Sequence, residues 1–425
     1  MNPKLDAFER RFTIFGMMFL TGIFRLASFY TSPDALNDTA PMSNPLDKVS
    51  SLLQQFLYIT TLLLLLARGQ STVRAMIRDP TVWMLIIYTF LSFLWSDFPS
   101  LSKRKGITTI QTSYFGLYVA SRFTMKQQLQ MLAWVFGFIA VFSFFFTLAF
   151  PGSAIEAGAN AGSWRGPFTQ KNLLARFMVL GAIVCLLVAL DKPEKPKIAW
   201  GSFGMCILMI LLTGSKTALL LLIMILALLP LYKLLRQKDT LVIPILVLTT
   251  LIAGCLTIFV VEYWIEILAA LGRDPTLSGR TNLWEIAIEK ISERPWLGYG
   301  YQGFWLERGE AEVIWKEEGY KPPHGHNGYI NTAIDLGLVG LFLFLLIIFV
   351  TYARAIIWLK NGNTSIEFWP AFFIIFLLMY NITESTIIEF NSIFWALVVM
   401  VSLSMKRVKP RRTTMIYPSY PVDSS

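Results

Sequence analysis

The two histidines of this 425-residue chain, His324 and His326, stand side by side in Pro323-His324-Gly325-His326-Asn327. Imidazole has an ordinary pKa of about 6.5, so it can take a proton from an attacking hydroxyl near neutral pH. Upstream, Ser278-Gly279-Arg280-Thr281 opens a segment in which Leu283, Trp284, Ala287, Ile288 and Ile291 recur at helical spacing. Thr281 can cap that helix, and Pro295 stops it. A guanidinium at Arg280 would join free N–H groups and the positive end of the helix dipole, which together hold an anion. A capping turn with a solvated arginine accounts for the same residues.

Further cations precede apolar runs. Arg165 and Lys171 lie in Trp164-Arg165-Gly166-Pro167-Phe168-Thr169-Gln170-Lys171-Asn172, and Lys216 lies in Gly214-Ser215-Lys216-Thr217. The latter has no Gly directly before its Lys and is not a phosphate loop. Between Arg280 and the histidines runs Pro295-Trp296-Leu297-Gly298-Tyr299-Gly300-Tyr301-Gln302-Gly303-Phe304-Trp305. No strand precedes these glycines and no helix opens after them, so a nucleotide site is not expected. The alternating rings fit a sugar-stacking or membrane-interface surface, with Trp305 a candidate sugar contact. Glu384 and Glu389 flank the last turn outside the membrane and are assigned structural roles.

These groups must be positioned by membrane helices. The chain is 55% hydrophobic and only 15% charged, against about 25% charged in soluble domains. Its apolar runs approach the ~20 residues that cross a bilayer. We expect an all-α, polytopic integral membrane protein with about twelve crossings (ten to twelve). They are Phe12–Tyr30, Ser51–Ala67, Thr81–Trp95, Gly106–Ser121, Leu129–Phe150, Asn172–Leu190, Ile198–Leu212, Thr217–Tyr232, Leu241–Val261, Gly328–Val350, Phe368–Ile382 and Phe390–Met405. The expected units are helices one to nine over 1–261, a large periplasmic loop with short helices over 262–326, helices ten to twelve over 327–405, and a basic cytoplasmic tail over 406–425. The run from Phe12 is too long for a signal-peptide core and reads as a retained anchor.

The net charge of +10 follows topology, not nucleic acid. With both termini in the cytoplasm, that side collects 21 of the 37 Lys and Arg, and the five short outer loops only 7. The three cysteines lie in apolar runs, so no disulfide framework is expected. No Cys/His/Asp cluster has metal-ligand spacing, and neither a metal nor another cofactor is expected.

Four stretches give the chain a family likeness: Trp95-Ser96-Asp97-Phe98-Pro99-Ser100-Leu101-Ser102, Arg165 to Asn172, Ser215-Lys216-Thr217-Ala218, and Gly279-Arg280 to Phe304. His326 and Asn327, followed by Gly337 and Gly340, add the His-Asn…Gly-x-x-Gly pattern of ligases. Leu341 and Phe342 then stand where many ligases carry small hydroxylated residues. The chain resembles the O-antigen ligase and polysaccharide polymerase superfamily, most of all its succinoglycan-type exopolysaccharide polymerases. The resemblance implies a metal-independent glycosyltransferase of the bacterial inner membrane that uses undecaprenyl-diphosphate-linked oligosaccharide. It would polymerise repeats at the periplasmic face, or alternatively transfer finished polysaccharide to a lipid or protein acceptor.

On this reading His326, Arg280 and Arg165 are catalytic. Lys171, Asn172, Lys216, His324 and Trp305 bind substrate. Membrane lipid, a flippase and a chain-length regulator are expected partners, and nucleic acid is not. A transporter or flippase is the competing class, but such proteins show repeat symmetry and mid-membrane charges. Here, of the lysines and arginines, only Arg25 and Arg176 fall within the runs.

Overall fold

The computed structural model describes residues 3–30, 44–237, 280–307, 309–318 and 321–405. The expected crossing Leu241–Val261, the first part of the large loop and the basic tail lie outside them. Fifteen α-helices are described: α1 Pro3–Phe19, α2 Leu46–Ala67, α3 Gly69–Met76, α4 Pro80–Leu91, α5 Pro99–Arg122, α6 Met125–Ala149, α7 Pro151–Ala154, α8 Lys171–Leu190, α9 Pro196–Thr213, α10 Lys216–Gln237, α11 Arg280–Glu293, α12 Ala311–Glu318, α13 Gly328–Asn361, α14 Trp369–Tyr380 and α15 Ile393–Ser404. No strand is named among the described residues.

Six helices are long and apolar enough to cross a membrane: α2, α6, α8, α9, α10 and α13. A seventh results if α3 and the Pro80–Leu94 segment, bent by 90°, count as one broken span. The chain is a multi-span helical membrane protein, and by length and composition the described helices do not add up to twelve crossings. Expected crossings depart from that standard for identifiable reasons. The first ends as an α-helix at Phe19 and continues through Gly22 in two short 3-10 turns. α5 is long, but its buried face carries Ser102, Gly106, Thr109, Thr112, Ser113 and Gly116. Small and hydroxyl residues let helices approach closely where hydrophobic attraction adds nothing. A Cβ at Gly116 would lie 2.8 Å from the Ala396 carbonyl oxygen of α15. α8 is buried along most of its length, from Leu174 to Ala189.

One end of the bundle is tied by ion pairs. Glu9 is fully buried and accepts from Arg68 at 2.6 Å and from Arg122. Asp79, also buried, accepts from Arg354 at 2.7 Å. Such pairs are costly to break, because losing one partner strands a buried charge at about 3–5 kcal/mol. Most loops of the expected outer side converge elsewhere, around one cavity.

The break within α13 explains the glycine pair. Gly337 takes φ 66° and ψ −175°, outside helical values. The 295–299 loop fills the gap: Leu338 N–H donates to Pro295 O at 2.7 Å, and Tyr299 N–H donates to Ile334 O at 2.9 Å. A Cβ on Gly337 would sit 2.1 Å from the Trp296 carbonyl oxygen. Only glycine satisfies both the left-handed φ and the close approach.

Candidate functional site

The histidine loop is fixed from three directions. Asn327 caps α13, its side chain accepting from Tyr329 N–H at 3.0 Å and Ile330 N–H at 3.2 Å. Trp284 of α11 donates from its indole to Gly325 O at 2.7 Å. Asn331 accepts from Gly325 N–H and from the Trp305 indole, both at 2.9 Å, and donates to Ser385 at 2.9 Å. Between the anchored Gly325 and the capping Asn327, His326 is forced to φ 48°. A non-glycine residue held in the left-handed region costs free energy that a functional constraint often justifies.

The imidazoles meet edge to face with ring centroids 4.4 Å apart. His324 Nδ1 accepts the backbone N–H of His326 at 3.2 Å. In neutral His324 that places the proton on Nε2, an assignment made from the bonding pattern. His326 Nδ1 lies 4.0 Å from Glu384 Oε2. Glu384 Oε1 accepts from the Asn172 amide at 3.1 Å, and Asn172 Oδ1 accepts from the Ser215 hydroxyl at 3.2 Å. A polar chain therefore runs Ser215–Asn172–Glu384–His326–His324, joining four stretches far apart in sequence.

His324, His326 and Glu384 offer ligand atoms within 4.8 Å of one another, a grouping that spacing did not flag. The bond into His324 Nδ1 leaves only Nε2 to coordinate, and in that tautomer Nε2 bears the proton. The donor set therefore suits proton handling better than a metal.

The candidate cations are placed differently from one another. Arg165 is fully buried and donates to the carbonyls of Ser153 and Thr169 at 3.0 Å and of Ser28 at 3.3 Å. Burial lowers its pKa, partly offset by Glu156. No described contact brings Arg165 to the histidines; it fastens the loop that leads to Lys171 and Asn172. The Lys171 N–H donates to Glu156, and its ammonium to Ser163 Oγ at 3.2 Å. Lys216 is exposed at the start of α10, beside Ser215. Arg280 is the first residue of α11, and its side chain lies outside the described residues.

A cavity of about 670 Å³ opens beside the histidine loop, lined by His324, Trp305, Asn331 and Ser385 and by residues of the other expected outer loops described, except the 213–216 turn. Arg25, Arg104, Lys105 and Arg176 also line it. Arg176 stands over the Phe394 ring at 4.8 Å, and the Lys105 ammonium 3.6 Å over Phe390. Sequence reasoning left Arg25 and Arg176 as isolated charges. The signal was there, since a charge inside an apolar run is costly and marks a cavity or pathway.

The aromatic and glycine stretch is chiefly packing, which corrects its reading as a sugar-stacking surface. Tyr299, Tyr301 and Phe304 are almost wholly buried. The Trp95 indole donates to Leu297 O at 2.8 Å, and Tyr301 N–H to Ser92 Oγ at 3.0 Å. Gly300 and Gly303 admit Ser96, and Gly298 admits the Ile334–Gly337 backbone; of the stretch's large rings, Tyr301 and Trp305 line the cavity, while Trp296 is exposed.

Comparisons with known proteins agree with this architecture. Residues 201–345 match the family model described as O-Antigen ligase, a segment that holds Lys216, α11 and the histidine loop. The chain is a multi-pass bacterial membrane protein, about a third of which is similar to that model. It is 26% identical over 286 residues to the exopolysaccharide production protein ExoQ of Rhizobium meliloti (strain 1021), covering 64% of each chain. It is 33% identical over 148 residues to a Rickettsia conorii protein provisionally named a polysaccharide ligase, covering 33% of this chain and 34% of that one. A similarly named Rickettsia felis protein is 31% identical over 148 residues. The chain thus aligns with less than two thirds of the length of these relatives.

Proposed function

We propose that this protein is a glycosyltransferase that joins undecaprenyl-diphosphate-linked oligosaccharide repeats into exopolysaccharide at the periplasmic face of the inner membrane. The observation that carries this reading is the polar chain from Ser215 through Asn172 and Glu384 to His326, next to His324, which lines the large cavity. Similarity to an exopolysaccharide production protein and to an O-antigen ligase model supports the substrate class.

In the reaction, an acceptor hydroxyl attacks the anomeric carbon of the donor sugar. The new C–O bond forms as the bond to diphosphate breaks, and the diphosphate leaves with the electron pair. With Nδ1 turned toward Glu384, His326 uses Nε2 to take the hydroxyl proton, and the carboxylate stabilises the imidazolium. A positioned base of this kind contributes about 10²–10⁴ in rate. Lys216, Lys171 and Arg280 neutralise the departing diphosphate, each such charge contributing about 10²–10³. Arg165 acts indirectly, holding the loop that presents Lys171 and Asn172.

Ligation of finished polymer shares the donor chemistry, and the relatives named as ligases favour keeping it as the second reading. Deleting the gene separates the two. If the protein polymerises, long polymer disappears and lipid-linked single repeats accumulate. If it ligates, long polymer persists on its carrier lipid without reaching its acceptor.

A further inference from the structure

Three charged side chains lining the cavity carry buried polar atoms that take no hydrogen bond from the protein: Nε of Arg176, Oδ1 of Asp335 and Oε2 of Glu389. Asp335 is only 5% exposed. It sits one turn beyond Asn331 on α13, which also carries His326's capping neighbour Asn327. A buried carboxylate oxygen left without a donor costs free energy. Three such atoms on residues lining one cavity therefore point to a ligand with complementary groups.

The mixture restricts that ligand. Asp335 and Glu389 only accept hydrogen bonds when ionised, and Arg176 only donates. A diphosphate would suit Arg176 and the Arg25, Arg104 and Lys105 that also line the cavity, but it donates no hydrogen bond and would leave both carboxylate oxygens unpaired. A lipid tail would leave all three atoms unpaired. A sugar offers hydroxyls that donate and accept within one ring, and an apolar face for the Trp305 indole. The volume of about 670 Å³ falls within the roughly 300–1,000 Å³ of enclosed ligand sites.

We infer that this cavity is the acceptor-saccharide subsite, with Asp335 and Glu389 accepting from sugar hydroxyls, Arg176 donating to a sugar oxygen and Trp305 stacking on the ring. The inference rests on the glycosyltransferase reading. It adds where the acceptor sits: beside His324 and Asn331, with its reactive hydroxyl directed toward the His326 loop.

The test uses the full chain in lipid nanodiscs and lipid-linked repeat extracted from a strain lacking the gene. Asp335→Asn and Glu389→Gln keep shape and remove charge; Glu389, which is only partly buried, guards against a folding failure at Asp335. Losing one hydrogen bond to a charged group should raise KM about 10- to 100-fold, with kcat changed less than about threefold, while His326→Ala lowers kcat. Unchanged KM in both carboxylate variants, with His326→Ala still inactivating, overturns the subsite and leaves the glycosyltransferase reading standing. No chain growth by the unsubstituted protein overturns both.

Discussion

Glu384 reaches His326 and Asn172 at once: its Oε2 lies 4.0 Å from His326 Nδ1, and its Oε1 accepts the Asn172 amide at 3.1 Å. One carboxylate thus couples the turn before α15, the start of α8 and the histidine loop before α13. The 4.0 Å separation is an ion-pair distance for a protonated ring, longer than a hydrogen bond. The arrangement becomes more favourable as the imidazole gains its proton, which is what a base needs from the group that orients it.

Replacing Glu384 with Gln should therefore lower polymer formation by roughly 10²- to 10⁴-fold, the range seen when a base loses its orienting carboxylate. Polymer yield per unit of membrane-inserted protein reads this. Activity within about threefold of the parent would remove Glu384 from the account.

Asn172→Ala cuts the chain one step further back, losing both its donation to Glu384 and its acceptance from Ser215. We expect a loss of about 10- to 100-fold in the same assay, because the carboxylate retains its charge but not its direction. Asn172→Asp should be worse than Ala, since it sets two carboxylates against each other.

Much of this architecture is legible in the sequence. Apolar runs locate α2, α6, α8, α9 and α10 within about five residues and the start of α13, which runs on past Val350 to Asn361. The glycine pair after His326 signals the break at Gly337, although not the loop that fills it. Two features are hidden for a common reason. Glu384 becomes a partner of His326, and Arg176 a wall of the cavity, only when helices distant in sequence pack together. The burial of Tyr299, Tyr301 and Phe304 is hidden because alternating rings and glycines look alike in a surface and in a tightly packed turn.

That turn gives a stability prediction. Gly337→Ala places a methyl group against the Trp296 carbonyl and imposes a left-handed φ on alanine. The cost should be at least about 1–3 kcal/mol. Detergent-purified protein should show a lower thermal midpoint and reduced membrane yield, and an unchanged midpoint would contradict the packing described.

A pH dependence follows from Glu156 beneath the 163–171 loop. Burial, opposed by the Lys171 N–H and the charges of Lys171 and Arg165, raises its pKa above the ordinary carboxylate value. Its contribution to stability is then complete below the ordinary value and lost as pH rises through the raised one. Glu156→Gln keeps the acceptor for Lys171 and removes the titration. Between about pH 4 and pH 8 the midpoint of the parent, relative to the variant, should fall as pH rises. A difference that is flat or grows with pH would contradict this.

The central claim is that the His326 cluster forms glycosidic bonds on a lipid-linked donor. Its most direct measurement supplies purified protein in detergent with lipid-linked repeat, without a sealed compartment or a membrane potential, and follows product length. The account predicts a ladder of lengthening chains that His326→Ala abolishes at equal protein. A ladder that survives that substitution, or no chain growth by the unsubstituted protein on verified substrate, would contradict it.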